Sequence, residues 1–424
     1  MKTVPFWVDD HPRADGLTGE LPAETDYLVV GSGLTGLTAA LRLAGSGREV
    51  TVVDASEIAS GASSINGGMV SPDVKAGIRT IFKRYGPALG REMWDATVRS
   101  VDIIDELDKA HDLDAVVARG GMTALGLRES DLARFQETVR WYWENLGVEW
   151  SVLDRTAVTG VVGRSEHFKA GLHEPEGMGV HPARLAFGLA GAARSRGATL
   201  VANTMARSVG RDRSGFTVDT QRGRVRAGSV LIATNGYTTK EPVPELARKI
   251  VSVGSYIIVT EPLAESEAKG IFPTNSMSYT ARRFLNYIRR THDDRILIGG
   301  RRNLRTDLDL DESAAALRRR LVELWPSLES AEISHVWGGK LAVPFDLTPH
   351  IGRVDGVWYA MGYAGHGVGL AALLGHDLAG MLLGETAPSV FSKIPHRGRF
   401  YHRGNPWFLG PAALLYKTLD RLGR

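Results

Sequence analysis

The fold is decided by the stretch DYLVVGSGLTG at residues 26–36 of this 424-residue chain. Its first five residues predict a short buried strand that runs directly into a glycine-rich turn. The helix formers and apolar spacing of residues 37–44 predict a helix after the turn, and EVTVV at residues 49–53 predicts a second strand. This order of strand, turn, helix and strand is typical of a Rossmann βαβ unit.

The glycines of this turn have separate roles in such a unit. Gly31 makes the tight turn, Gly33 lets the backbone approach a pyrophosphate, and Gly36 lets the helix pack closely on the strand. Leu34 and Thr35 open the helix, whose N-terminus offers free N–H groups and a positive dipole to phosphate groups. The turn therefore predicts dinucleotide binding.

An acidic residue stands at the end of the second predicted strand. Asp54 is placed to accept hydrogen bonds from the hydroxyls of an adenosine ribose, and Ala55 and Ser56 beside it complete this part of the predicted site. A carboxylate there disfavours a 2′-phosphate, so FAD or NAD fits better than NADP.

A second glycine-rich segment, SGASSINGGM, occupies residues 60–69. Small residues suit a backbone that packs against a large planar ligand, although a flexible surface loop has the same composition. From this segment we predict cofactor contacts by Gly61, Ala62, Ser63, Asn66, Gly67, Gly68 and Met69.

The composition excludes several classes of protein. The chain has no cysteine, which excludes disulfides, thiolate metal sites, iron–sulfur clusters and a cysteinyl flavin, and we predict no metal site. Its 51 basic and 48 acidic residues nearly balance without basic tracts, so we expect no nucleic-acid partner. Residues 1–24 do not resemble a signal peptide, and no apolar run is long enough for a membrane span. We therefore expect a cytoplasmic protein without a membrane partner.

The late segment GYAGHGVG at residues 362–369 precedes a helix-like stretch at 370–383. Together with the Rossmann start and the GASxxNGG segment, it resembles the D-amino-acid-oxidase-like flavoproteins, and among them the gamma-glutamylputrescine oxidoreductase branch. The resemblance covers about residues 25–390 and implies FAD as the cofactor. Three intervening matches are LIATNG at 231–236, WGG at 337–339 and TPHIG at 348–352.

The resemblance implies an α/β fold in which a Rossmann-type FAD-binding domain is interleaved with an α+β substrate domain built on a mixed sheet. The FAD-binding domain is expected to comprise residues 1–95, 170–240 and 345–395, and the substrate domain residues 96–169 and 241–344. Residues 396–424 are expected to form a helical tail that packs on its own domain or on a partner subunit of a homo-oligomer, which is preferred to the alternative of a helix at a membrane surface.

The sequence outside the Rossmann unit also predicts individual elements. Strands are predicted at Phe284–Arg290 and Arg295–Gly300, joined by a turn as a hairpin. Amphipathic helices are predicted at Leu132–Asn145 and Ser313–Leu324.

In this family the late GHG element points backbone N–H groups at the pyrimidine ring of the flavin. Here Gly365, His366 and Gly367 would do so, and the dipole of the helix would stabilise the reduced flavin. The side chain of His366 is either a proton carrier or a packed residue. FAD is expected to be bound non-covalently, because Ile65 stands where some relatives carry a histidine. Further cofactor contacts are expected from Ala206, Thr234, Asn235, Gly236, Gly352, Gly362 and Val368.

Departures from relatives bear on the substrate. Glycine oxidases hold the substrate carboxylate with an arginine four residues after the tryptophan that matches Trp337, where this chain has Leu341. Sarcosine oxidases use a lysine two residues after the GHG element, where this chain has Gly369. Both carboxylate clamps are missing. We therefore expect a small-molecule amine as the substrate, either a secondary amine or an N-substituted amino compound.

The expected reaction moves a hydride from the carbon next to nitrogen to the flavin, and water then hydrolyses the imine. No dedicated strong base is required. An α-amino-acid oxidase or dehydrogenase with its carboxylate held by another arginine is the alternative. A flavin-binding protein that modifies RNA or has no catalytic role is the alternative from a different class.

Candidate substrate contacts are Tyr287, Arg289, Lys340 and Tyr363, with Tyr287 and His366 as candidate catalytic residues. Strand alternation puts Leu285, Tyr287 and Arg289 on one face, which either faces the flavin or packs in the core. A nearby basic cluster is either a solvated face or a binding surface for an acidic group, and it contains Arg282, Arg283, Arg289, Arg290, Arg301 and Arg302.

The electron acceptor is O2 or another compound. Sarcosine oxidases place a lysine near the flavin to activate oxygen, and the comparable strand at residues 296–299 has none. An oxidase is preferred to a dehydrogenase, but the sequence leaves this choice open.

Overall fold

The computed structural model describes residues 1–301, 304–307, 309–402, 404, 406–411, 413 and 418. Strands and helices are numbered in chain order. The first sheet has eight strands: β1 (Glu24–Val30), β2 (Val50–Val53), β9 (Thr199–Val201), β10 (Ala206–Asp212), β11 (Gly215–Thr220), β12 (Gly223–Ile232), β18 (His350–Val354) and β19 (Val357–Met361). Their order is β10-β11-β12-β1-β2-β9, and β19 joins β12 to β18.

The helices surround this sheet and the second one. They are α1 (Phe6–Asp10), α2 (Leu34–Gly45), α3 (Ala62–Ile65), α4 (Ile78–Tyr85), α5 (Pro87–His111), α6 (Ser130–Leu146), α7 (Arg155–Val162), α8 (Pro182–Ser195), α9 (Glu265–Ile271), α10 (Leu310–Leu324) and α11 (Gly367–Leu383). Short 3-10 turns lie at Asn235–Tyr237, Leu246–Arg248, Pro326–Leu328 and Val390–Ser392.

The Rossmann unit predicted from the first glycine-rich turn is confirmed. Strand β1 pairs in parallel with β2 on one side and with β12 on the other, and α2 connects β1 to β2. Helix α2 packs against α8 and α11, so the sheet carries a helical layer over its central strands. The parallel strands end at one edge, where the glycine-rich turn begins.

The second sheet is mixed, as expected. Its strands are β5 (Met122–Gly126), β6 (Ser151–Leu153), β7 (Ala170–Glu174), β13 (Ile250–Thr260), β14 (Met277–Thr280), β15 (Tyr287–Arg290), β16 (Ile296–Gly300) and β17 (Ile333–Pro344). The order is β17-β13-β16-β15-β14-β5-β7-β6, in which β5 and β14 are parallel and the other neighbours antiparallel.

Two elements do not follow the predicted domain bounds, since α5 (Pro87–His111) runs across the bound at residues 95 and 96 and β7 joins the second sheet. Strand β7 pairs with β5 and β6, so the second sheet extends to Glu174 instead of ending at residue 169. A third, three-stranded sheet has the order β3-β8-β4 and is formed by β3 (Met69–Val70), β4 (Val116–Ala118) and β8 (Met178–Val180).

The predicted hairpin exists, but its first strand is shorter than expected. It begins at Tyr287 because the preceding backbone folds back on Thr280: the Thr280 N–H donates to the Asn286 carbonyl, and the Asn286 N–H donates to the Thr280 hydroxyl. The second strand of the hairpin begins at Ile296, because the Thr291 N–H donates a hydrogen bond of 2.9 Å to the Arg295 carbonyl and so closes the turn just before it.

The predicted helices are confirmed with longer bounds. Helix α10 begins at Leu310 rather than Ser313, because the Asp309 carboxylate accepts the Glu312 N–H at 2.8 Å and caps the helix. Helix α11 begins directly after His366, so the GHG element does open a helix. Much of the predicted tail, including Tyr416 and residues 419–424, lies outside the described residues. Within the part described, no helix is both long and apolar enough to cross a membrane.

Candidate active site

The first glycine-rich turn leaves room only for glycine. Gly31 has a φ of +107°, and a Cβ on it would lie 2.8 Å from the Ala233 carbonyl oxygen. A Cβ on Gly36 would overlap the Gly31 carbonyl, and one on Gly33 would lie 2.9 Å from Ser63 Oγ. The helix thus begins with bare backbone at the edge of the sheet.

The start of α2 has the donors that a pyrophosphate needs. The first intrahelical bond runs from the Leu37 N–H to the Gly33 carbonyl, so the N–H groups before Leu37 lack partners in the helix. The Leu34 N–H donates to Ser63 Oγ at 2.9 Å, which joins this turn to the second glycine-rich segment. The Thr35 hydroxyl bonds with the Tyr363 hydroxyl at 2.6 Å in the protein interior.

Asp54 is held at the end of β2 by neighbouring donors. One carboxylate oxygen accepts the Ser32 N–H at 2.8 Å and the Ser32 hydroxyl at 2.6 Å, and the other accepts the Ser56 N–H at 3.0 Å. The carboxylate is half-buried, with lone pairs left for ribose hydroxyls, and Ala55 and Ser56 beside it are exposed. Together with the α2 terminus and its bare glycines, this arrangement fits the adenosine diphosphate half of FAD.

A cavity of about 400 Å³ lies where the second glycine-rich segment and the start of α11 face the second sheet. It gathers nine of the residues predicted for the cofactor and substrate, which come from four separate stretches of chain. They are Ala62, Asn66, Gly67, Met69, Tyr287, Lys340, Gly365, His366 and Val368.

Tyr287 occupies the wall that the second sheet contributes to this cavity. Its ring lies against Gly67, where a Cβ would stand 2.9 Å from Cε2, and it fills the space beside Gly299. Its hydroxyl bonds with Ser255 Oγ at 3.0 Å, and burial raises the pKa of Tyr287. A neutral hydroxyl in fixed orientation therefore faces the cavity.

Arg289 lies on the same strand but outside the cavity lining. Its Nη1 donates to the carbonyl oxygens of Gly68 at 2.7 Å and Val180 at 2.9 Å, and its guanidinium lies 5.5 Å from the Trp7 ring centroid. Burial lowers its pKa to about 10. Arg289 is only 2% exposed, so the interpretation of the arginine cluster as a solvated face is wrong for this residue. Arg289 instead joins the second sheet to the glycine segment.

Several other predicted residues connect elements behind the cavity. Asn235 Oδ1 accepts the Gly362 N–H at 3.0 Å, and a Cβ on Gly236 would lie 2.6 Å from the Lys340 carbonyl oxygen. The remaining predicted cofactor residues Gly61, Ala206, Thr234, Gly352 and Gly367 and the predicted substrate residue Tyr363 also lie outside the cavity lining.

Two cationic side chains that line the cavity were not among the site residues predicted from the sequence. Lys75 comes from the loop after β3, and burial lowers its pKa to about 8. Arg301 follows β16, with Nη2 3.9 Å from the position of a Cβ on Gly365, and burial lowers its pKa. Among the described residues, neither charged group has a hydrogen bond or ion pair. Arg301 belonged to the predicted basic cluster, whereas no motif marks Lys75.

Two acidic side chains line the same cavity, and each bonds with a tyrosine. The Tyr279 hydroxyl donates to Glu174 Oε1 at 2.9 Å, and the Tyr142 hydroxyl donates to Asp73 Oδ2 at 3.2 Å. Burial raises the pKa of Glu174 to about 8 and that of Asp73 to about 6. Neither acid stands in a recognisable sequence motif.

His366 is the N-cap of α11, and its side chain lines the cavity. Burial lowers its pKa to about 3, so the imidazole is neutral at ordinary pH. Its Nδ1 is buried and has no hydrogen-bond partner in the described part of the chain. Leu341 and Gly369, the two positions at which the family resemblance predicted that carboxylate-binding cations are absent, also line the cavity.

Comparison with known proteins agrees with this arrangement. The family described as DAO: FAD dependent oxidoreductase matches residues 26–381. Gamma-glutamylputrescine oxidoreductase of Escherichia coli (strain K12) is 31% identical over 405 residues, which cover 94% of this chain and 93% of that protein.

Solved structures of this fold resemble the chain at lower identity. Glycine oxidase from Geobacillus kaustophilus superimposes with a TM-score of 0.75 at 22% identity, over 89% of this chain and 100% of that chain. L-proline dehydrogenase from P. horikoshii gives a TM-score of 0.70 at 20% identity, over 87% of this chain and 96% of that one. The chain belongs to the FAD-dependent oxidoreductase family of the D-amino-acid-oxidase type.

Proposed function

We propose that this enzyme oxidises a C–N bond of a secondary amine or N-substituted amino compound to an imine, which water then hydrolyses. The observation that carries this proposal is the cavity between the flavin-side segments and Tyr287, because it offers polar groups that could orient an amine beside the flavin-side segments. Bound FAD would supply the hydride acceptor. The relative named gamma-glutamylputrescine oxidoreductase supports an amine substrate.

The residues of this chain would bind and orient the amine. The Tyr287 hydroxyl, fixed by Ser255, would position the substrate nitrogen, and the neutral His366 would leave the amine in its unprotonated form. The start of α11 would stabilise negative charge on the reduced cofactor. Gly67 would keep the Tyr287 wall close to the flavin-side segment and limit the entry of water.

The acceptor that reoxidises the enzyme is proposed to be O2. No lysine lies on β16, but Lys75 brings a cationic group to the cavity from a different segment. A positive charge near the flavin favours electron transfer to oxygen, since negative charge develops on the oxygen.

A second candidate function is favoured by Arg301. This guanidinium lines the cavity beside Gly365 without a protein partner in the described residues, and it could hold an α-carboxylate in a bidentate manner. Oxidation of an α-amino acid is therefore the alternative. Leu341 and Gly369 weigh against it, because they replace the carboxylate-binding cations of known relatives at the cavity wall.

An anaerobic flavin-bleaching screen separates the two candidates. Holoenzyme is mixed without oxygen with secondary alkylamines, N-alkyl amino acids, glycine and D-alanine, and flavin absorbance is followed before air is admitted. Bleaching by amines that lack an α-carboxylate supports the proposal, and rapid recovery in air supports an oxidase. Bleaching only by α-amino acids overturns the proposal in favour of the alternative.

A further inference from the structure

Trp7 is a fully buried tryptophan that lies behind the cavity lining. It belongs to α1, which precedes residues 26–381, the part of the chain that the family model matches. Its indole Nε1 donates a hydrogen bond of 2.8 Å to the carbonyl of Asn66, a residue of the glycine-rich segment that lines the cavity. A residue near the start of the chain thus contacts the backbone of the predicted cofactor site.

The hydrogen bond from Trp7 determines which way the peptide between Asn66 and Gly67 faces. In a planar trans peptide the carbonyl and the following N–H point in opposite directions. Because the Asn66 carbonyl points to Trp7, the Gly67 N–H points away from it. Trp7 does not line the cavity, whereas Gly67 does. The N–H of Gly67 is therefore directed to the side on which the cofactor is expected.

A second indole holds the preceding peptide in the same way. Trp337 Nε1 donates to the Ile65 carbonyl at 2.7 Å, and Trp337 is as well buried as Trp7. The Asn66 side chain closes the turn that follows, since its Oδ1 accepts the Gly68 N–H at 2.8 Å. Two consecutive peptides of the cavity lining are thus fixed by indole donors.

The ring of Trp7 is itself held by two neighbours. The Arg289 guanidinium lies 5.5 Å from its centroid, and the His181 ring meets it edge-on with the centroids 4.9 Å apart. Arg289 also donates to the Gly68 carbonyl at 2.7 Å. Trp7 and Arg289 therefore support neighbouring carbonyls of one short segment.

Helix α1 is anchored by two carboxylates. Asp9 Oδ2 lies 3.0 Å from His335 Nε2 on β17, and Asp10 Oδ2 lies 3.0 Å from His181 Nε2. Burial lowers the pKa of His181 to about 4, so its ring is neutral and carries one proton. Its Nδ1 accepts the Arg184 N–H at 3.2 Å, so the proton is on Nε2 and is donated to Asp10. This pair anchors α1 and leaves no lone pair on Nε2 for a metal ion.

We propose that Trp7 is a positioning residue for the cofactor: its indole N–H fixes the Asn66–Gly67 peptide so that the Gly67 N–H is presented to bound FAD. The inference concerns the cofactor alone and goes beyond the proposed amine oxidation. Without the indole donor, the buried Asn66 carbonyl loses its partner and the peptide loses its restraint. Bound FAD is then held by one fewer donor of fixed orientation.

Trp7→Phe tests this role, because phenylalanine keeps a ring beside Arg289 and His181 and lacks the N–H. Trp325→Phe is the matched control. The Trp325 indole is also buried and donates to the Val162 carbonyl at 2.9 Å, outside the cavity lining. Each variant loses one buried hydrogen bond, so both are expected to lower the melting temperature to a similar extent.

Two measurements on holoenzyme report the cofactor directly. The release of FAD after dilution, followed by flavin fluorescence, gives the dissociation rate, and the visible absorption bands of the bound oxidised flavin report its hydrogen bonds. Trp7→Phe is expected to release FAD about threefold to tenfold faster and to shift these bands, whereas Trp325→Phe should keep the wild-type values. Replacement of Trp7 by 3-benzothienylalanine, which has sulfur in place of the N–H at nearly the same volume, should reproduce the effects of Trp7→Phe.

Two outcomes would overturn the proposal. If both replacements of Trp7 keep the wild-type release rate and absorption bands, Trp7 only packs behind the cavity. If Trp325→Phe changes both measurements as much as Trp7→Phe does, the effect comes from general loss of stability. Neither measurement uses a substrate, so a failure of the proposed amine oxidation appears in the bleaching screen and leaves this test unaffected.

Discussion

The aromatic ring of Tyr287 lies directly against Gly67, and a Cβ on Gly67 would stand 2.9 Å from Cε2 of that ring. Tyr287, which forms the cavity wall that the second sheet contributes, thus packs on the glycine segment that follows the Rossmann unit. The carbonyl oxygen of Gly68, the next residue, accepts a hydrogen bond from the Arg289 guanidinium. The two glycines allow the second sheet to approach the flavin-side backbone closely.

Gly67→Ala is expected to displace Tyr287 and to lower the free energy of unfolding by about 1–3 kcal/mol, as other overpacked sites do. Chemical denaturation of the holoenzyme measures this change. Gly191→Ala in α8 is the control, since a Cβ there meets no atom within 4 Å and alanine favours helix. Equal stability of the two variants would contradict the close packing of Tyr287 on Gly67.

Arg289 and Arg301 are expected to behave differently when each is replaced by methionine. Arg289→Met leaves the buried carbonyls of Gly68 and Val180 without their donor, so the free energy of unfolding should fall by about 2–4 kcal/mol. Arg301→Met removes a cation without a partner in the described residues and should leave stability within about 0.5 kcal/mol. Denaturant melts of both variants test this contrast, and a severe loss of stability in Arg301→Met would argue against a ligand-facing guanidinium.

Lys75→Met is expected to slow reoxidation of the reduced enzyme by O2 by about tenfold or more, because a cation beside the cavity is lost. Stopped-flow mixing of photoreduced enzyme with oxygenated buffer measures the rate without any substrate. The pKa of Lys75 is lowered to about 8, so the ammonium is present below that pH. Wild-type reoxidation should therefore be faster below about pH 8 and slow as the pH rises, a dependence that Lys75→Met should lack.

Asp54→Ala is expected to weaken FAD binding by about tenfold to a hundredfold, because the acceptors for the ribose hydroxyls are lost. Reconstitution of apoprotein, followed by flavin fluorescence, gives the Kd. Asp26→Ala is the control, since Asp26 lies in the neighbouring strand β1, where it accepts the Glu49 N–H at 3.1 Å near the end of the strand away from the glycine-rich turn. Unchanged FAD affinity in Asp54→Ala would remove Asp54 from the cofactor site.

Acid denaturation should release all FAD, since attachment is non-covalent.

The sequence predicts the Rossmann unit and the helix at His366 because their signals are local. A glycine-rich turn between a strand and a helix is determined within about a dozen residues. Strand alternation also puts Tyr287 and Arg289 on one face correctly. Alternation cannot show that the glycine segment covers only part of this face. The covered part contains Arg289, which is buried, whereas Tyr287 lines the cavity.

The charged residues of the cavity could not be predicted in the same way. Asp73 and Lys75 lie in a loop, and Glu174 ends a strand whose neighbours are β5 and β6. Their convergence depends on long-range strand pairing and on the packing of the glycine segment. No spacing along the chain encodes it.

The central claim is that an amine is oxidised at its C–N bond in the cavity beside Tyr287. A single-turnover product analysis tests it most directly: holoenzyme is reduced without oxygen by a limiting amount of N-methylhexylamine, and the products are trapped and quantified by mass spectrometry. The account predicts one aldehyde and one primary amine for each flavin reduced, with both yields rising together in step with flavin bleaching. Reduction of the flavin without an aldehyde product, or no reduction by any amine, would contradict it.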